Sequence, residues 1–414
     1  MIPASIALRN LFRNRRRSIL SLVIVSVGTA GLLLTVGFVR YSFEGLREAI
    51  IRGGLGHLEV APADALEAGG AGADRPGLPP SFRDWNQVRD VIESRPNVLG
   101  AGATIQFAGV ATTGDSSASF FGVAVEPDRE RRIGIDLRLR GGSNLGETPP
   151  SEGEETVLLG IGLARALDAG PGDTVTLVAP TPDASLNALD LSVAGVFTTG
   201  FQDLDSRILK THLITAQRLL GTDYVTSLVV GLTDAETADR TVADLRAELA
   251  GHSPPLSVLD WETRAPFYGQ VRSLYRSIFV FLGIIVALLV ALSTSNTIMM
   301  SVLERIREFG TLLAIGTSRT QLAGMVILEA LWLAILGGLG GSGLGIALAA
   351  LINVLEIEMP PPPAAVDPMI LALAVVPADL LFAVAFMAAI LTVAAIPPIL
   401  RLFRLQIVEA LGHV

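Results

Sequence analysis

The sequence predicts an α-helical membrane protein with four transmembrane helices and a large α+β extracytoplasmic domain between helices one and two. Three observations predict it. Long uncharged apolar runs gather at the two ends of the chain, in which half of the 414 residues are hydrophobic. The stretch between them is acidic: residues 41–272 carry 32 acidic and 19 basic residues, a balance of −13, against 8 and 12, a balance of +4, elsewhere. Within it, apolar residues alternate in some segments and recur at helical spacing in others.

Residues 1–17 are a basic segment containing RNLFRNRRR. Ser18–Val39 then runs 22 residues without a charge, enough at about 1.5 Å per residue to cross a hydrocarbon core of about 30 Å. The first transmembrane helix is placed at 18–40. A secretory signal also begins with a basic run, but its apolar core is only about 7–15 residues. YSFEGLREAIIR, residues 41–52, extends the helix outward.

The domain at 41–272 mixes strands and helices. HLEVA is a strand, and ALEAGGAGADRPGLPP has the composition of disorder. SFRDWNQVRDVIESRP is a helix capped by Ser81. Residues 98–113 and 118–125 form a hairpin around TTGDSS. ETVLLG, IGLARALDA and DTVTLVAP give strand, helix and strand; LSVAGVFTTG and LKTHLIT are further strands. VTSLVVGL, a helix over 235–250 and LSVLDWE complete a second strand–helix–strand unit. The outer strands at the two ends of the domain are expected to pair and enclose an inserted β-rich subdomain at about 127–223.

The second transmembrane helix is placed at 273–303, around the uncharged run from Ser277 to Leu303. A cytoplasmic segment at 304–321 leads to the third at 322–354. A Pro-rich loop at 355–378 follows, with Pro377 as a helix breaker, then the fourth at 379–400 and a tail at 401–414. Arginines flank the first helix, fill the 304–321 segment and follow the fourth helix; the 355–378 loop has Glu356, Glu358 and Asp367 and no base. Positive charge marks the cytoplasmic side, so both termini are expected inside and the acidic domain outside.

The residue inventory excludes several chemistries. Without cysteine there is no disulfide, thiolate zinc site or cysteine nucleophile. His57, His212, His252 and His413 match no metal-ligand spacing. Lys210, the sole lysine, sits in RILKTHLI and not in the Gly-Lys-Ser/Thr turn of a Walker A loop. GIGLA lacks the serine of a nucleophile elbow. Asp203 and Asp205 are expected in a solvated loop. An acidic exterior is wrong for nucleic acid. No catalytic residue, cofactor or metal is therefore expected, and the chain is not expected to be an enzyme.

Two patterned segments remain. In ERIREFGTLLAIGTSRTQL, residues 304–322, Ile306, Phe309 and Leu313 share one helical face, broadened by Leu303, Leu312 and Ile315. Glu304, Arg305, Arg307 and Glu308 take other sides. Gly316 stops the helix and Thr317-Ser318 caps the next. Mixed charges suit docking into a protein groove better than lying on lipid, which favours an excess of basic residues. In EALWLAILGGLGGSGLGIALA, Gly337, Gly341 and Gly345 repeat at four, as do Gly338 and Ser342; such spacing lets a second helix approach closely, although glycine is abundant throughout. Glu329 is expected at the cytoplasmic boundary or against a protein partner.

This arrangement resembles the FtsX/MacB superfamily, or type VII, of ABC transporter permeases. The resemblance rests on EFGTLLAIGTSRTQL with the LEA and glycine-rich span that follow, on RNLFRNRRRS, and on IPPILRLFRLQIVEAL. Glu308, Phe309, Gly310, Leu312, Ala314, Ile315, Gly316 and Ser318 fit the family pattern; Leu313 replaces a common basic residue and Gln406 a usual proline. ETVLLGIGLARALDAGPGDTVTL is similar to the strand–helix–strand of the family's periplasmic core domain. The resemblance implies a bacterial inner-membrane protein whose 304–321 segment is a coupling helix. It would dock on a separate ABC ATPase through Glu304, Arg305, Ile306, Glu308, Phe309, Leu312, Leu313 and Gly316. ATP and Mg would be bound by that partner, in two copies, and a second permease chain, identical or related, would complete the assembly. The mechanism implied is mechanotransmission: ATP-driven closure moves the outer domains while no solute need cross the membrane. GLGHLEVAP is most similar to the lipoprotein-releasing (Lol-type) branch, which implies lateral access of acyl chains from membrane lipid near Val36, Phe43, Tyr275, Phe279 and Leu282, and a periplasmic lipoprotein chaperone. Peptide or drug efflux with a periplasmic adaptor, and transmission of a signal to a cell-wall hydrolase, are the alternatives.

Overall fold

The computed structural model describes residues 15–67, 80–359 and 369–404. The basic flank before Arg15, most of the Gly/Ala/Pro segment, the four consecutive prolines, and the tail with Gln406 and His413 lie outside them. The chain divides into two compact units, one of residues 1–44, 271–359 and 370–414, the other of residues 45–270 and 360–369.

Helix α1 covers Arg15–Ile50 and closes in a π turn, Ile51–Leu55. Gly54 and Gly56 there adopt φ +131° and +64°, and a Cβ on Gly56 would strike Val229. The chain then enters β1 (Leu58–Pro62), α2 (Trp85–Glu93), β2 (Val98–Thr112) and β3 (Ser117–Val125). Next come α3 (Pro127–Arg132), β4 (Arg138–Gly142), β5 (Thr156–Gly160), α4 (Ile161–Leu167), β6 (Thr174–Pro180) and β7 (Leu186–Thr198). The unit ends with β8 (Ile208–His212), α5 (Leu213–Leu220), β9 (Ser227–Leu232), α6 (Ala238–Glu248) and β10 (Leu256–Asp260).

Its ten strands share β2. Residues 98–104 of β2 pair with β9, which pairs with β1, which pairs with β10, so the end strands do meet. Residues 105–112 pair with β3, and residues 110–112 also pair with β6. From β3 the ladder continues through β8, β5 and β7 back to β6. Six strands thus close on themselves, which removes their edges. The inserted β-rich region expected at 127–223 therefore starts earlier: its barrel takes half of β2 and all of β3. The reason is visible in the β2–β3 register, where Phe107 pairs with Gly122 and Gly109 with Phe120. A Cβ on Gly122 would lie 2.6 Å from the Phe107 ring, so each glycine leaves room for an aromatic ring of the barrel interior. The two rings meet edge to face at 5.5 Å.

Charged residues inside this unit are partnered. Lys210 Nζ donates to both oxygens of Glu130, at 2.7 and 3.0 Å, and both residues are largely enclosed. Glu126 accepts from Arg89 and from the Ala103 amide, tying α2 to β2. Asp205 is buried, not solvated as expected. It accepts from the Thr198 hydroxyl, the Thr199 amide and the Thr199 hydroxyl, and so closes the turn after β7. His57 Nδ1 accepts from the Leu232 amide, while its backbone bridges Val230 and Trp261. Burial pushes His57 below the ordinary histidine value, with Arg47 acting the same way and Glu48 against; burial also lowers His212, opposed by Asp128 and by a hydrogen bond to the Gly146 backbone.

Two local expectations are corrected. The helix after Pro80 does not begin at Ser81: Phe82 forms a bridge with Val225, and α2 starts at Trp85 with Asp84 as N-cap. The Asp84 carboxylate contacts His252 Nε2 at 2.6 Å instead of capping. LKTHLIT is a strand only to His212, and Leu213 opens α5. RLRGG, residues 138–142, forms β4 at the end of the ladder on β7.

The other unit contains α1 up to Glu44 and the remaining helices: α7 (Pro266–Glu304, entering this unit at Val271), α8 (Ile306–Ala314), α9 (Arg319–Leu355), α10 (Pro377–Ala394) and α11 (Ile396–Phe403). Among the described residues, four helical stretches, Ser18–Leu55, Pro266–Glu304, Arg319–Leu355 and Pro377–Phe403, are long and apolar enough to cross a membrane. Pro377, expected as a breaker, opens α10 at a position where its missing N–H costs nothing. Pro397 and Pro398 follow the break between α10 and α11.

Candidate docking segment and the bundle that carries it

The polar segment between the second and third apolar helices is three short pieces. Glu304 ends α7, Arg305 interrupts the helix at φ −103° and ψ 16°, and α8 follows. At its far end the Gly316 amide donates to the Leu313 carbonyl and the Thr317 amide to the Leu312 carbonyl, with Gly316 at φ +97°. This pair of bonds is a Schellman stop, which needs the left-handed conformation that glycine supplies. Ser318 then caps α9: its hydroxyl accepts from the Gln321 amide at 3.2 Å, and its own amide donates to Gln321 Oε1 at 2.9 Å.

The apolar stripe of α8 faces its own chain. Phe309 is 2% exposed and packs in a cluster with Val302, Leu322, Met325, Val326 and Leu402; Leu312 and Leu313 pack on the same cluster. Gly310 is buried as well. Phe309, expected at the docking surface, is therefore committed to the bundle. Ile306 and Glu308 are half-buried, and Glu304 and Gly316 are exposed. The outward face consists of Arg307, Thr311 and Ala314, with Ile315, 73% exposed, at its end. Only Ile315 among these is a large apolar side chain, and the sequence pattern had placed it on the same stripe as Phe309.

Arg305 also turns inward. Its Nε donates to Glu308 at 2.9 Å and its Nη1 to Glu329 of α9 at 2.9 Å, and its guanidinium lies 5.2 Å from the centre of the Phe309 ring. Burial acts to lower its affinity for the proton, and the two carboxylates more than offset it, so the net shift is upward. Glu329 thus has a partner within this chain.

The glycine row of α9 meets α1. A Cβ on Gly337 would lie 2.7 Å from Val25, one on Gly341 2.6 Å from Thr29, and one on Gly345 3.3 Å from Leu33. Ser26 Oγ donates to the Gly337 carbonyl at 3.0 Å. Gly338 faces Val384 of α10 instead. At the other end of the bundle the Ala374 amide donates to the Gly37 carbonyl, Asn353 brackets Leu373 with two hydrogen bonds, and Arg40 pairs with the buried Asp379 at 2.7 Å.

Of the residues expected to line lateral access, Phe43 and Tyr275 meet edge to face at 5.8 Å, and Tyr275 and Phe279 lie 6.0 Å apart. Phe279 also meets Phe38, which sequence reasoning did not single out, at 6.5 Å. These rings link α1 and α7 of one chain. Val36 is half-buried nearby in sequence, and Leu282 is on the exposed side of α7.

Four apolar helices, a mixed α+β domain inserted between the first two, and a short braced helix between the second and third define a membrane permease with a large outer domain. Residues 18–248 match the MacB-like periplasmic core domain and residues 280–407 the FtsX-like permease C-terminal region. The chain belongs to the FtsX/MacB family of ABC transporter permeases. It is 25% identical to the lipoprotein-releasing system transmembrane protein LolC of Neisseria meningitidis over 84% of this chain and 82% of that protein. It is also 25% identical to the macrolide export ATP-binding/permease protein MacB of Chlorobium luteolum over 84% of this chain, but spans only 52% of that protein. Among solved structures, the extracellular domain of YknZ from Gram-positive bacteria aligns with 49% of this chain at 14% identity and a TM-score of 0.35. That alignment covers 98% of the YknZ chain.

Proposed function

We propose that this chain is the permease subunit of a lipoprotein-releasing ABC transporter of the bacterial inner membrane, moved by a separate ATPase that docks on the outward face of α8. In this reading both termini and α8 are cytoplasmic, and the unit built on β1–β10 is extracytoplasmic. Two ATPase copies act on two permease chains. ATP-driven closure pushes α8, and α1 and α7, which lead into the domain, carry the motion. The observation that carries the reading is the shape of α8: its apolar stripe is occupied by its own chain, while Arg307, Thr311, Ala314 and Ile315 are left presented. A helix fixed to its bundle on one side and bare on the other can receive a push. The lipoprotein substrate is supported by the similarity to LolC over most of that protein's length, against half of MacB.

Reconstitution tests it. The chain is co-expressed with candidate ABC ATPases from the same genome, placed in proteoliposomes with a labelled lipoprotein, and supplied with ATP. Release of the lipoprotein to a soluble periplasmic chaperone, with crosslinks at Phe43 or Phe279, is the expected result. Adaptor-dependent efflux of a peptide or drug, or activation of a cell-wall hydrolase without transport, would replace the lipoprotein assignment. Absence of any ATPase in the purified complex would remove the docking assignment. Ile315→Asp should abolish co-purification of the ATPase while leaving the melting temperature unchanged, since Ile315 is exposed.

A further inference from the structure

The break at Arg305 poses a mechanical problem. A one-residue interruption between α7 and α8 is a hinge, and a helix free to swing about a hinge absorbs a push instead of passing it on. The structure braces α8 at that point. Arg305 is the residue of the break, and one guanidinium reaches both Glu308, on α8, and Glu329, on α9, while its face covers Phe309. The side chains of Arg305 and Glu329 are only 13% and 14% exposed, so the bridge is shielded from solvent as a surface pair is not. The planar fork of arginine can donate in two directions at once; lysine, a point charge, cannot hold that geometry. Two turns along α9 from Glu329 the glycine row begins, where Gly337 and Gly341 hold α1 at van der Waals distance.

We infer that Arg305 is a positioning residue that welds α8 to α9 through Glu329, so that a push received by α8 enters the α9–α1 pair instead of being lost at the α7–α8 break. The inference rests on the reading that α8 docks a nucleotide-driven partner, but the brace itself can be tested without that partner.

The chain has no cysteine, so introduced cysteines carry the only spin labels. One pair, Thr311→Cys with Leu339→Cys, reports α8 against α9; a second, Leu20→Cys with Leu339→Cys, reports α1 against α9. All three positions are exposed. Distances are measured on the full chain in lipid nanodiscs, in the wild-type background and in Glu329→Gln, Arg305→Gln and the double variant. The expected result is a single narrow α8–α9 distribution in the wild type that broadens to the same extent in all three variants, with the α1–α9 distribution unmoved. An α8–α9 distribution that stays narrow in Glu329→Gln would overturn the brace. Broadening in the double variant beyond either single change would show that the two residues act separately, which also overturns it. Broadening of both label pairs would reduce Arg305 to a residue that merely holds the bundle together. With the co-expressed ATPase present, unlabelled Glu329→Gln should keep the ATPase bound and lower hydrolysis per assembled complex about tenfold; an unchanged rate counts against the proposal. If the wild-type chain binds no ATPase, the docking reading fails, and the nanodisc measurement still decides the brace.

Discussion

Helices α7 and α9 are nearly matched in length, 39 and 37 residues, and both are strongly apolar, with mean hydropathy 2.7 and 2.1 in their membrane-compatible stretches. Yet 50% of that stretch is buried in α9 and 11% in α7. Apolar content does not sort them, because in lipid a leucine gains little by leaving hydrocarbon for protein. Shape sorts them. The small residues of α9 form a groove that admits α1, and its Met325, Val326 and Leu333 enclose Phe309 and its neighbours. In α7, Leu288, Leu289 and Leu292 stand outward, and contact with α1 is made at points such as Val290, which lies where a Cβ on Gly28 would be only 2.9 Å away. One helix is a structural centre of the bundle, and the other has a long uncovered face.

The largest test of this contrast removes a comparable apolar group from each setting. Phe309→Ala empties the cluster between α8 and α9 and should cost about 3–5 kcal/mol. Leu292→Ala, on the open face of α7, should change stability by less than about 0.5 kcal/mol. Thermal unfolding of the purified full chain in detergent reads both. Equal losses would mean that α7 is as enclosed in the single chain as α9.

A smaller effect is expected from adding volume. Gly341→Leu forces a side chain into Ser26 and Thr29 of α1 and should destabilise by about 1–3 kcal/mol. Gly343→Leu, two residues along the same helix, meets nothing within 4 Å and should be tolerated. A cost at both positions would mean that it does not come from the groove, since leucine is the better helix former. Smaller again is Phe279→Ala, which removes the ring contacts with Phe38 and Tyr275 and should cost about 0.5–1.5 kcal/mol beyond its area.

The sequence made the spans legible because an uncharged run of sufficient length is a local property. The stop at Gly316 and the cap at Ser318 were legible for the same reason. The apolar stripe of α8 was visible too, but not its direction: a stripe buried by its own chain and one buried by a partner look alike until Leu322 and Met325 are placed around Phe309. The glycine row announced a close neighbour without saying that the neighbour is α1. Arg305 finds Glu329 across 24 positions, and Phe82 leaves its helix for Val225 across 143; neither pairing has a local signal. Polar RLRGG joined the sheet because β7 was there to receive it.

The smallest predicted effect separates packing from charge as the source of stability. The three histidines among the described residues, His57, His212 and His252, all lie in the unit of residues 45–270. Burial lowers the proton affinity of His57 and His212 in the folded state. The unfolded chain, titrating near pH 6.5, therefore binds more protons than the folded domain as pH falls through that value. Stability contributed by keeping these rings neutral is present in full above about pH 6.5 and is lost progressively below it. Unfolding of the full chain between pH 7.5 and 5.5 should then show the domain melting earlier at the acid end. His57→Gln should flatten that slope while retaining an acceptor for the Leu232 amide. The α9–α1 groove, which is held by shape, should register no change over the same range when followed by the Leu20–Leu339 label pair. A groove that loosened with the domain would show that the contrast between α7 and α9 depends on charge as well as fit.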